Sequence, residues 1–216
     1  LEIKTVGVIG SGIMGSGIAE VISKSGIDVV IRSRSAETAQ ATKAAIDSSL
    51  NKQLVKAKIT QEEKDSAMSH VTVTNKLEDL ANCDLIIESA VEDLATKQEL
   101  FSQLDKIVKP SCVLSTNTST LPVIEMAKST NRPDKVCGIH FFNPAVLMPL
   151  VEVVRPITAS DETIAFANEF VKACAKDAVQ VVDRAGFIVN ALLFPYLNNA
   201  IAMFEAGTAS MEDIDV

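Results

Sequence analysis

A histidine and a glutamate are the residues of this chain best placed for acid–base chemistry. His140 ends an apolar run typical of a buried strand, and Glu152 lies in the middle of a second apolar run. A carboxylate on a neighbouring strand can orient an imidazole and stabilise its charged form, which is the arrangement of a general base. The alternative is a core histidine satisfied by backbone groups, with Glu152 at a strand edge.

A glycine-rich turn near the start of the chain predicts a phosphate-binding site. Gly10, Gly12 and Gly15 follow a short β-branched strand and precede a helical pattern, with a second strand, 28–32, at the expected distance. The first glycine permits the tight turn, the second lets a pyrophosphate approach the backbone, and the third lets helix and strand pack closely. We therefore expect a bound dinucleotide, with Ile13 and Met14 at the start of the helix beside it.

A run of small polar residues follows the predicted fifth strand, 112–115. Thr116, Asn117, Thr118 and Ser119 stand at its carboxyl end, where open α/β sheets place their ligand contacts. An equally acceptable interpretation is that Ser119 caps a helix from Leu121 onward.

The elements that must position these residues alternate between strand and helix, which predicts a doubly wound, mostly parallel sheet covered by helices. A long amphipathic helix over 36–57 and a capping box at Thr60 and Glu63 predict a helical hairpin inserted after strand two and projecting from the sheet. After Asp183 the pattern changes to one long apolar helix, to Glu205, and the start of another. We expect a dinucleotide-binding domain over 1–184 and an incomplete helical domain over 185–216, so that the chain is a fragment with an exposed apolar surface near 192–203.

Composition favours a cytoplasmic enzyme. The chain has 216 residues, 47% of them hydrophobic, and no apolar run approaches the length of a membrane span. The net charge of −8 argues against a general nucleic-acid binder. Four scattered cysteines and two histidines offer no metal-ligand spacing and favour reduced, buried thiols.

Taken in order, five motifs resemble the 3-hydroxyacyl-CoA dehydrogenase family, closest to its short-chain members. They begin at Gly10, Ser115, His140, Leu150 and Gly186, and the resemblance covers essentially the whole chain. It implies a dinucleotide-binding domain followed by a helical domain that completes the acyl site and forms a homodimer.

The resemblance also implies residue roles. His140 would be the base for the 3-hydroxyl, Glu152 its partner, and Asn143 a neighbour that helps fix the base, while Ser119 and Asn190 would bind substrate oxygens. Glu92, Lys97 and Asn117 would contact the ribose or nicotinamide side of the cofactor, and Ser49 and Lys56 the CoA moiety. No metal is required for this hydride transfer.

One position departs from the family pattern. The family usually has an acidic residue at the end of strand two, where it holds the adenosine 2′-hydroxyl, but this chain has Ser33 between Arg32 and Arg34. A carboxylate would repel a 2′-phosphate, whereas serine flanked by arginines suits one, so we expect NADP rather than NAD. The alternative is that the arginines are solvated charges at a strand end.

Three other interpretations stay open at this stage. The chain could be part of a multifunctional protein rather than a stand-alone enzyme. It could be a related dehydrogenase of a sugar acid or another hydroxy acid without CoA. It could also be a non-catalytic crystallin-like relative, although such a protein has no need of the Ser119, His140, Glu152 and Asn190 set.

Overall fold

The computed structural model describes residues 3–216, which form one sheet with helices on both faces. The first elements are β1 (Thr5–Ile9), α1 (Ile13–Lys24), β2 (Asp28–Arg32), α2 (Ala36–Val55), α3 (Gln61–Ser69), β3 (Val71–Thr74), β4 (Leu85–Glu88), α4 (Leu94–Ile107) and β5 (Val113–Thr116). They are followed by α5 (Val123–Ala127), β6 (Val136–Phe141), β7 (Leu150–Arg155), α6 (Asp161–Ala173), β8 (Asp177–Val182), α7 (Val189–Glu205) and α8 (Met211–Asp215).

The strand order confirms the predicted doubly wound sheet. The strands lie in the order β3-β2-β1-β4-β5-β6-β7-β8, and every pair is parallel except β6 and β7. The chain moves outward from β1 to β3 and then returns to the other side of β1 with β4. A crevice opens where the order reverses, at the carboxyl ends of β1 and β4, and open α/β sheets bind their ligands there.

Two hydrophobic clusters hold the helices on the sheet. One contains Ile18 and Ile22 of α1 and Phe170 of α6, and the other contains Phe101 and Leu104 of α4. All four residues of β4 are buried, as expected for an interior strand covered on both faces.

The helical hairpin after β2 lies closer to the sheet than expected. Ala39, Ile46 and Leu50 of α2 are buried, and α2 packs against β3 and α1 while α3 packs against α1. The connection between the two helices, residues 55–58, is exposed, as is the outer face of each helix. The buried residues of α2 lie on one helical face, but the apolar Ala41 and Ala45 of the predicted amphipathic stretch are exposed. The helix was therefore predicted correctly, whereas part of its apolar face and its packing against β3 were not. The predicted capping box at Thr60 and Glu63 is confirmed.

The segment after β5 differs from one of the two interpretations of Ser119. Helix α5 begins at Val123, after Pro122, and no side chain of its own N-cap position caps it. Instead the carboxylate of Asp183, just after β8, accepts hydrogen bonds from the amides of Val123 (3.0 Å) and Ile124 (2.8 Å). The prediction that Ser119 caps a helix is therefore wrong, and its hydroxyl is available to another partner.

The last two helices leave many apolar side chains exposed. Leu192, Phe194 and Tyr196 of α7 are more than half exposed, and Pro195 lies inside the helix. No helix within residues 3–216 is long and apolar enough to cross a membrane.

Candidate functional site: a histidine–carboxylate pair beside a dinucleotide cleft

The histidine and glutamate singled out in the sequence are direct neighbours across the antiparallel pair of strands β6 and β7. His140 on β6 is opposite Glu152 on β7, so both side chains point to the same face of the sheet. Both are almost fully buried, and Nδ1 of the imidazole lies 2.8 Å from Oε2 of the carboxylate. Because an ionised carboxylate can only accept, Nδ1 carries a proton and Nε2 is the basic atom of the neutral ring.

Ser119 occupies the position in front of that basic nitrogen. Its Oγ lies 2.9 Å from Nε2 of His140, so the hydroxyl donates to the neutral imidazole. The rings of Phe142 and Phe187 pack around the imidazole, with centroids 4.5 and 5.5 Å away. A polar substrate group that replaces the Ser119 hydroxyl at Nε2 would meet a base that is oriented and largely shielded from water.

Glu152 also connects this pair to helix α7. Its Oε1 accepts hydrogen bonds from the amides of Ile188 (2.9 Å) and Val189 (3.0 Å), at the start of the helix. The next residue, Asn190, directs its side-chain amide at the carbonyl oxygen of Ser119 at 3.4 Å. A closed ring of contacts thus joins Ser119, His140, Glu152 and Asn190. The sequence predicted these four residues as site residues but not the contacts between them.

Two asparagines flank the pair in different ways. Asn117 accepts a hydrogen bond from the amide of Phe141 at 2.8 Å, so its side chain ties the end of β5 to the residue after the base. Asn143 is exposed and lines a small pocket of about 170 Å³ together with Ser49 of α2. Lys56 is exposed at the carboxyl end of α2 and lines neither described pocket.

The three glycines of the turn between β1 and α1 are required for different reasons. Gly10 has a φ of 113°, and a Cβ there would lie 2.2 Å from the carbonyl oxygen of Ser89. A Cβ on Gly15 would lie 2.0 Å from the carbonyl oxygen of Gly10. At Gly12, by contrast, a Cβ would meet nothing within 4 Å. The fold itself does not require glycine at position 12, whereas a ligand that approaches the backbone does.

A cleft of about 670 Å³ extends from this turn across the carboxyl ends of β1, β2 and β4. Its lining includes Gly10, Gly12, Arg32, Ser33 and Arg34. Ile13, at the first turn of α1, is exposed, while Met14 packs against the core. The cleft combines this volume with a glycine turn at a helix N-terminus, which is the arrangement that binds the phosphates of a dinucleotide.

Two polar atoms at the end of β2 lack partners. Oγ of Ser33 and Nε of Arg32 are buried and make no hydrogen bond within residues 3–216, although both residues line the cleft. A buried polar atom without a partner costs free energy, so a ligand oxygen at this end of the cleft would be favourable to both.

A buried ion pair lies under the cleft. The ammonium group of Lys97 contacts both carboxylate oxygens of Glu88, at 2.6 and 2.8 Å, and Oε2 of Glu92 at 3.3 Å. The predicted cofactor residue Lys97 therefore directs all its protons at protein carboxylates. Sequence reasoning missed Glu88, and the one available signal was a charged residue at the end of an otherwise apolar strand.

No group of three or more His, Cys, Asp or Glu side chains within residues 3–216 could hold a metal ion. The four cysteines are free and buried, and burial raises the pKa of each thiol to about 12.

Comparisons with known proteins agree with the geometry. The family model of the 3-hydroxyacyl-CoA dehydrogenase NAD binding domain matches residues 5–184, and that of the 3-hydroxyacyl-CoA dehydrogenase C-terminal domain matches residues 186–216. A 3-hydroxybutyryl-CoA dehydrogenase of Mycobacterium tuberculosis is 43% identical over 215 residues, which are 99% of this chain and 75% of the relative.

Two further relatives extend this similarity. The mitochondrial hydroxyacyl-coenzyme A dehydrogenase of Sus scrofa is 39% identical over 99% of this chain and 70% of its own length. The crystal structure of (S)-3-hydroxybutyryl-CoA dehydrogenase PaaH1 from Ralstonia eutropha superposes with a TM-score of 0.96 at 35% identity, and the match covers 98% of this chain and 75% of that one.

Proposed function

We propose a specific reaction for this chain, which belongs to the 3-hydroxyacyl-CoA dehydrogenase family: hydride transfer between a nicotinamide cofactor and C3 of a short-chain (3S)-3-hydroxyacyl-CoA. The chain is an oxidoreductase with a Rossmann-like NAD-binding domain. The observation that carries the proposal is the Ser119–His140–Glu152 line of hydrogen bonds at the carboxyl edge of the sheet, beside the dinucleotide cleft.

His140 performs the proton transfer. A 3-hydroxyl group that takes the place of the Ser119 hydroxyl at Nε2 loses its proton to the imidazole as hydride leaves C3. The charge that develops on the ring is stabilised by Glu152 at 2.8 Å. In the reverse direction the imidazolium donates the same proton to the ketone oxygen. A bound nicotinamide supplies the hydride acceptor or donor.

Polar neighbours hold the reacting oxygens. Ser119 contacts the base and Asn190 contacts Ser119, so both side chains lie near the reacting atoms and can donate to the substrate carbonyl and thioester oxygens. The location of Ser119 and Asn190 in the ring of contacts around His140 supports their roles. Asn143 stands three residues beyond the base in the sequence, and we assign it to the adjoining pocket that it shares with Ser49.

The CoA moiety is proposed to lie along α2. Ser49 shares a pocket with Asn143, close in sequence to the base, and the exposed ammonium of Lys56 offers an anion contact at the end of the helix. We assign Glu92 to the ribose side of the cofactor, because its carboxylate is partly exposed while Lys97 behind it is buried. We assign Asn117 to the same side of the cofactor, where its hydrogen bond from the amide of Phe141 holds it against β6.

For the cofactor we infer a preference for NADP over NAD. The two unpartnered polar atoms of Arg32 and Ser33, next to the exposed Arg34, offer donors to a 2′-phosphate, and no carboxylate stands among these three residues. Calorimetric titration with NADPH and NADH tests the preference directly.

Two variants separate the contributions to this preference. Ser33→Asp should bring the affinities for NADH and NADPH together or reverse them, because its carboxylate repels a phosphate and accepts from a ribose hydroxyl. Arg34→Ala should weaken NADPH more than NADH. Tighter binding of NADH by the unmodified chain would refute the assignment.

The reaction is tested by spectrophotometric reduction of acetoacetyl-CoA. Single-turnover conditions with enzyme in excess detect even slow chemistry, and free acetoacetate is the matched substrate without CoA. We expect turnover of the thioester, loss of it in His140→Gln, and little reduction of the free acid. Preference for the free acid would favour a hydroxy-acid dehydrogenase. No reduction of either compound by a dimeric chain that binds dinucleotide would favour a non-catalytic relative.

We also propose that the chain forms a homodimer through the exposed apolar face of α7, and that it works in a reducing compartment such as the cytoplasm, as four free thiols suggest. Sedimentation velocity should show a dimer that Leu192→Glu dissociates. A monomer at all concentrations would contradict the assignment.

A further inference from the structure

Glu88 is a fully buried carboxylate that the hydride transfer does not use. At the end of β4, its Oε1 accepts from the amide of Ala90 at 2.6 Å and its Oε2 from the hydroxyl of Thr116 at 2.7 Å, and Lys97 contacts both oxygens. A buried ion pair seldom stabilises a fold more than apolar residues of the same volume would. The pair therefore needs an explanation other than stability.

Lys97 carries the effect of Glu88 toward the catalytic side. Its side chain is 1% exposed, and its third contact is Oε2 of Glu92 at 3.3 Å. An ammonium group has three protons, and those of Lys97 all face carboxylates. Glu88 therefore fixes the position of the Lys97 ammonium group, and this position determines where the carboxylate of Glu92 is held.

Glu92 holds the turn that presents the serine. Its Oε1 accepts from the hydroxyl of Thr118, from the amide of Ser119 at 3.1 Å and from the hydroxyl of Thr120 at 3.2 Å. Burial alone would raise the pKa of Glu92, but the hydrogen bond from Thr118, the charge of Lys97 and the amide of Ser119 outweigh it and lower the pKa below its usual value. The turn is thus tied to an ionised acceptor.

We propose that Glu88 is a positioning residue, which pins Lys97, thereby holds Glu92 against residues 118–120, and so sets the Ser119 hydroxyl on Nε2 of His140. The alternating negative, positive and negative charges form one connected path from β4 to the base. The catalytic consequence rests on the proposed function, but the geometry can be measured without substrate.

Imidazole nitrogen NMR of the unliganded chain provides the measurement. The chain has only two histidines, and His70 pairs with Asp28 at the surface, so it serves as an internal reference. In Glu88→Gln, one carboxylate oxygen becomes an amide that cannot accept from Lys97. We expect the Nε2 resonance of His140 at alkaline pH to move toward the value of a neutral imidazole whose Nε2 accepts no hydrogen bond. The resonances of His70 should stay in place.

A matched control removes a glutamate from an ion pair elsewhere. Glu125 contacts Lys128 at 2.8 Å on the surface of α5, and Glu125→Gln should leave the His140 resonance where it is. An unchanged His140 resonance in folded Glu88→Gln, or an equal displacement in the control, would overturn the proposal.

A double variant separates positioning from mere stability. Glu88→Gln with Lys97→Met removes the uncompensated buried ammonium, so the thermal midpoint should recover relative to Glu88→Gln alone. The His140 resonance should remain displaced, because no ammonium group then attracts Glu92. If the thermal midpoint and the His140 resonance both recovered, the role of the Glu88–Lys97 pair would be purely structural.

A second site keeps the test decisive if the variants at residue 88 do not fold. Glu92 is partly exposed, so Glu92→Gln should fold, and its uncharged amide should loosen the turn and displace the His140 resonance. An unmoved resonance in this variant would refute the proposal. Since no acyl-CoA is present, failure of the turnover assay would count against the proposed function alone.

Discussion

The two oxygens of the Glu152 carboxylate serve different partners, and this division decides what single substitutions at the site will do. Oε2 accepts from the imidazole of His140, and Oε1 accepts from two amides at the start of α7. A glutamine has one acceptor oxygen, so it can satisfy the imidazole or the helix but not both. Glu152, which stabilises the charged form of His140, therefore also fixes the helix that carries Asn190.

This arrangement predicts that His140 and Glu152 act as a unit. His140→Gln should lower the rate constant of acetoacetyl-CoA reduction by roughly 10²–10⁴-fold, as expected for loss of general acid–base catalysis, with dinucleotide binding intact. Glu152→Gln should also lower it strongly. The double variant should be little worse than the worse single variant, because each residue acts through the other. Losses that simply multiply in single-turnover measurements would show that the two are not a catalytic pair.

The glycine turn allows a second prediction for single residues. Because a Cβ at position 12 meets nothing within 4 Å, Gly12→Asp should keep the thermal midpoint of the chain. It should abolish dinucleotide binding by calorimetry, since the side chain occupies the space of the pyrophosphate and its carboxylate repels the phosphates. Gly15→Ala is the contrasting control, because its Cβ would overlap the carbonyl oxygen of Gly10 and should destabilise the fold. Undiminished binding by Gly12→Asp would refute the dinucleotide site.

Among the elements, the sequence predicts those whose signals are local. The alternation of apolar strands and amphipathic helices is sufficient for the sheet class, and spacing alone places His140 and Glu152 on adjacent strands. Contacts between residues far apart in sequence leave no such signal. The capping of α5 by Asp183 and the contact of Glu92 with residues 118–120 depend on which loops the completed sheet brings together.

The long-range cap of α5 leads to a prediction for that element. Asp183 accepts from the amides of Val123 and Ile124, and an asparagine has only one acceptor oxygen for the two. Asp183→Asn should lower the free energy of unfolding by about 1 kcal/mol in urea titrations, the usual effect of losing a helix cap. Asp161→Asn alters an exposed pair with Arg155 and should have a smaller effect. Equal stability of the two variants would show that the cap contributes nothing.

At the scale of the whole molecule, a few buried carboxylates join segments that are distant in sequence. Asp105 at the end of α4 accepts from the backbone and side chain of Asn131, both at 2.9 Å, and from Nε of Arg132 at 2.6 Å. Arg132 in turn donates to the carbonyl oxygen of Lys109 at 2.7 Å. This cluster connects α4 to the segment that leads into β6, and hence to the strand that carries the base.

The charge of Asp105 makes this connection sensitive to acid. Burial alone would raise the pKa of Asp105, but the hydrogen bonds from Asn131 and Arg132 and the charge of Arg132 outweigh it and lower the pKa below its usual value. A carboxyl group whose pKa is lower in the folded than in the unfolded state stabilises the fold fully above its unfolded pKa, about 3.9. That stabilisation is lost as the pH falls from there through the folded pKa.

Asp105→Asn should therefore lower the free energy of unfolding by about 1–3 kcal/mol at neutral pH, the cost of leaving charged and backbone donors unpaired. Its stability should fall less steeply than that of the unmodified chain below about pH 4, so that the two curves converge in acid. Asp47→Asn alters a pair with Lys64 in which the carboxylate is half exposed, and its stability curve should run parallel to that of the unmodified chain. Urea titrations across the acid range measure all three curves, and a constant difference between Asp105→Asn and the unmodified chain down to the lowest pH would show that ionisation of Asp105 contributes nothing to the fold.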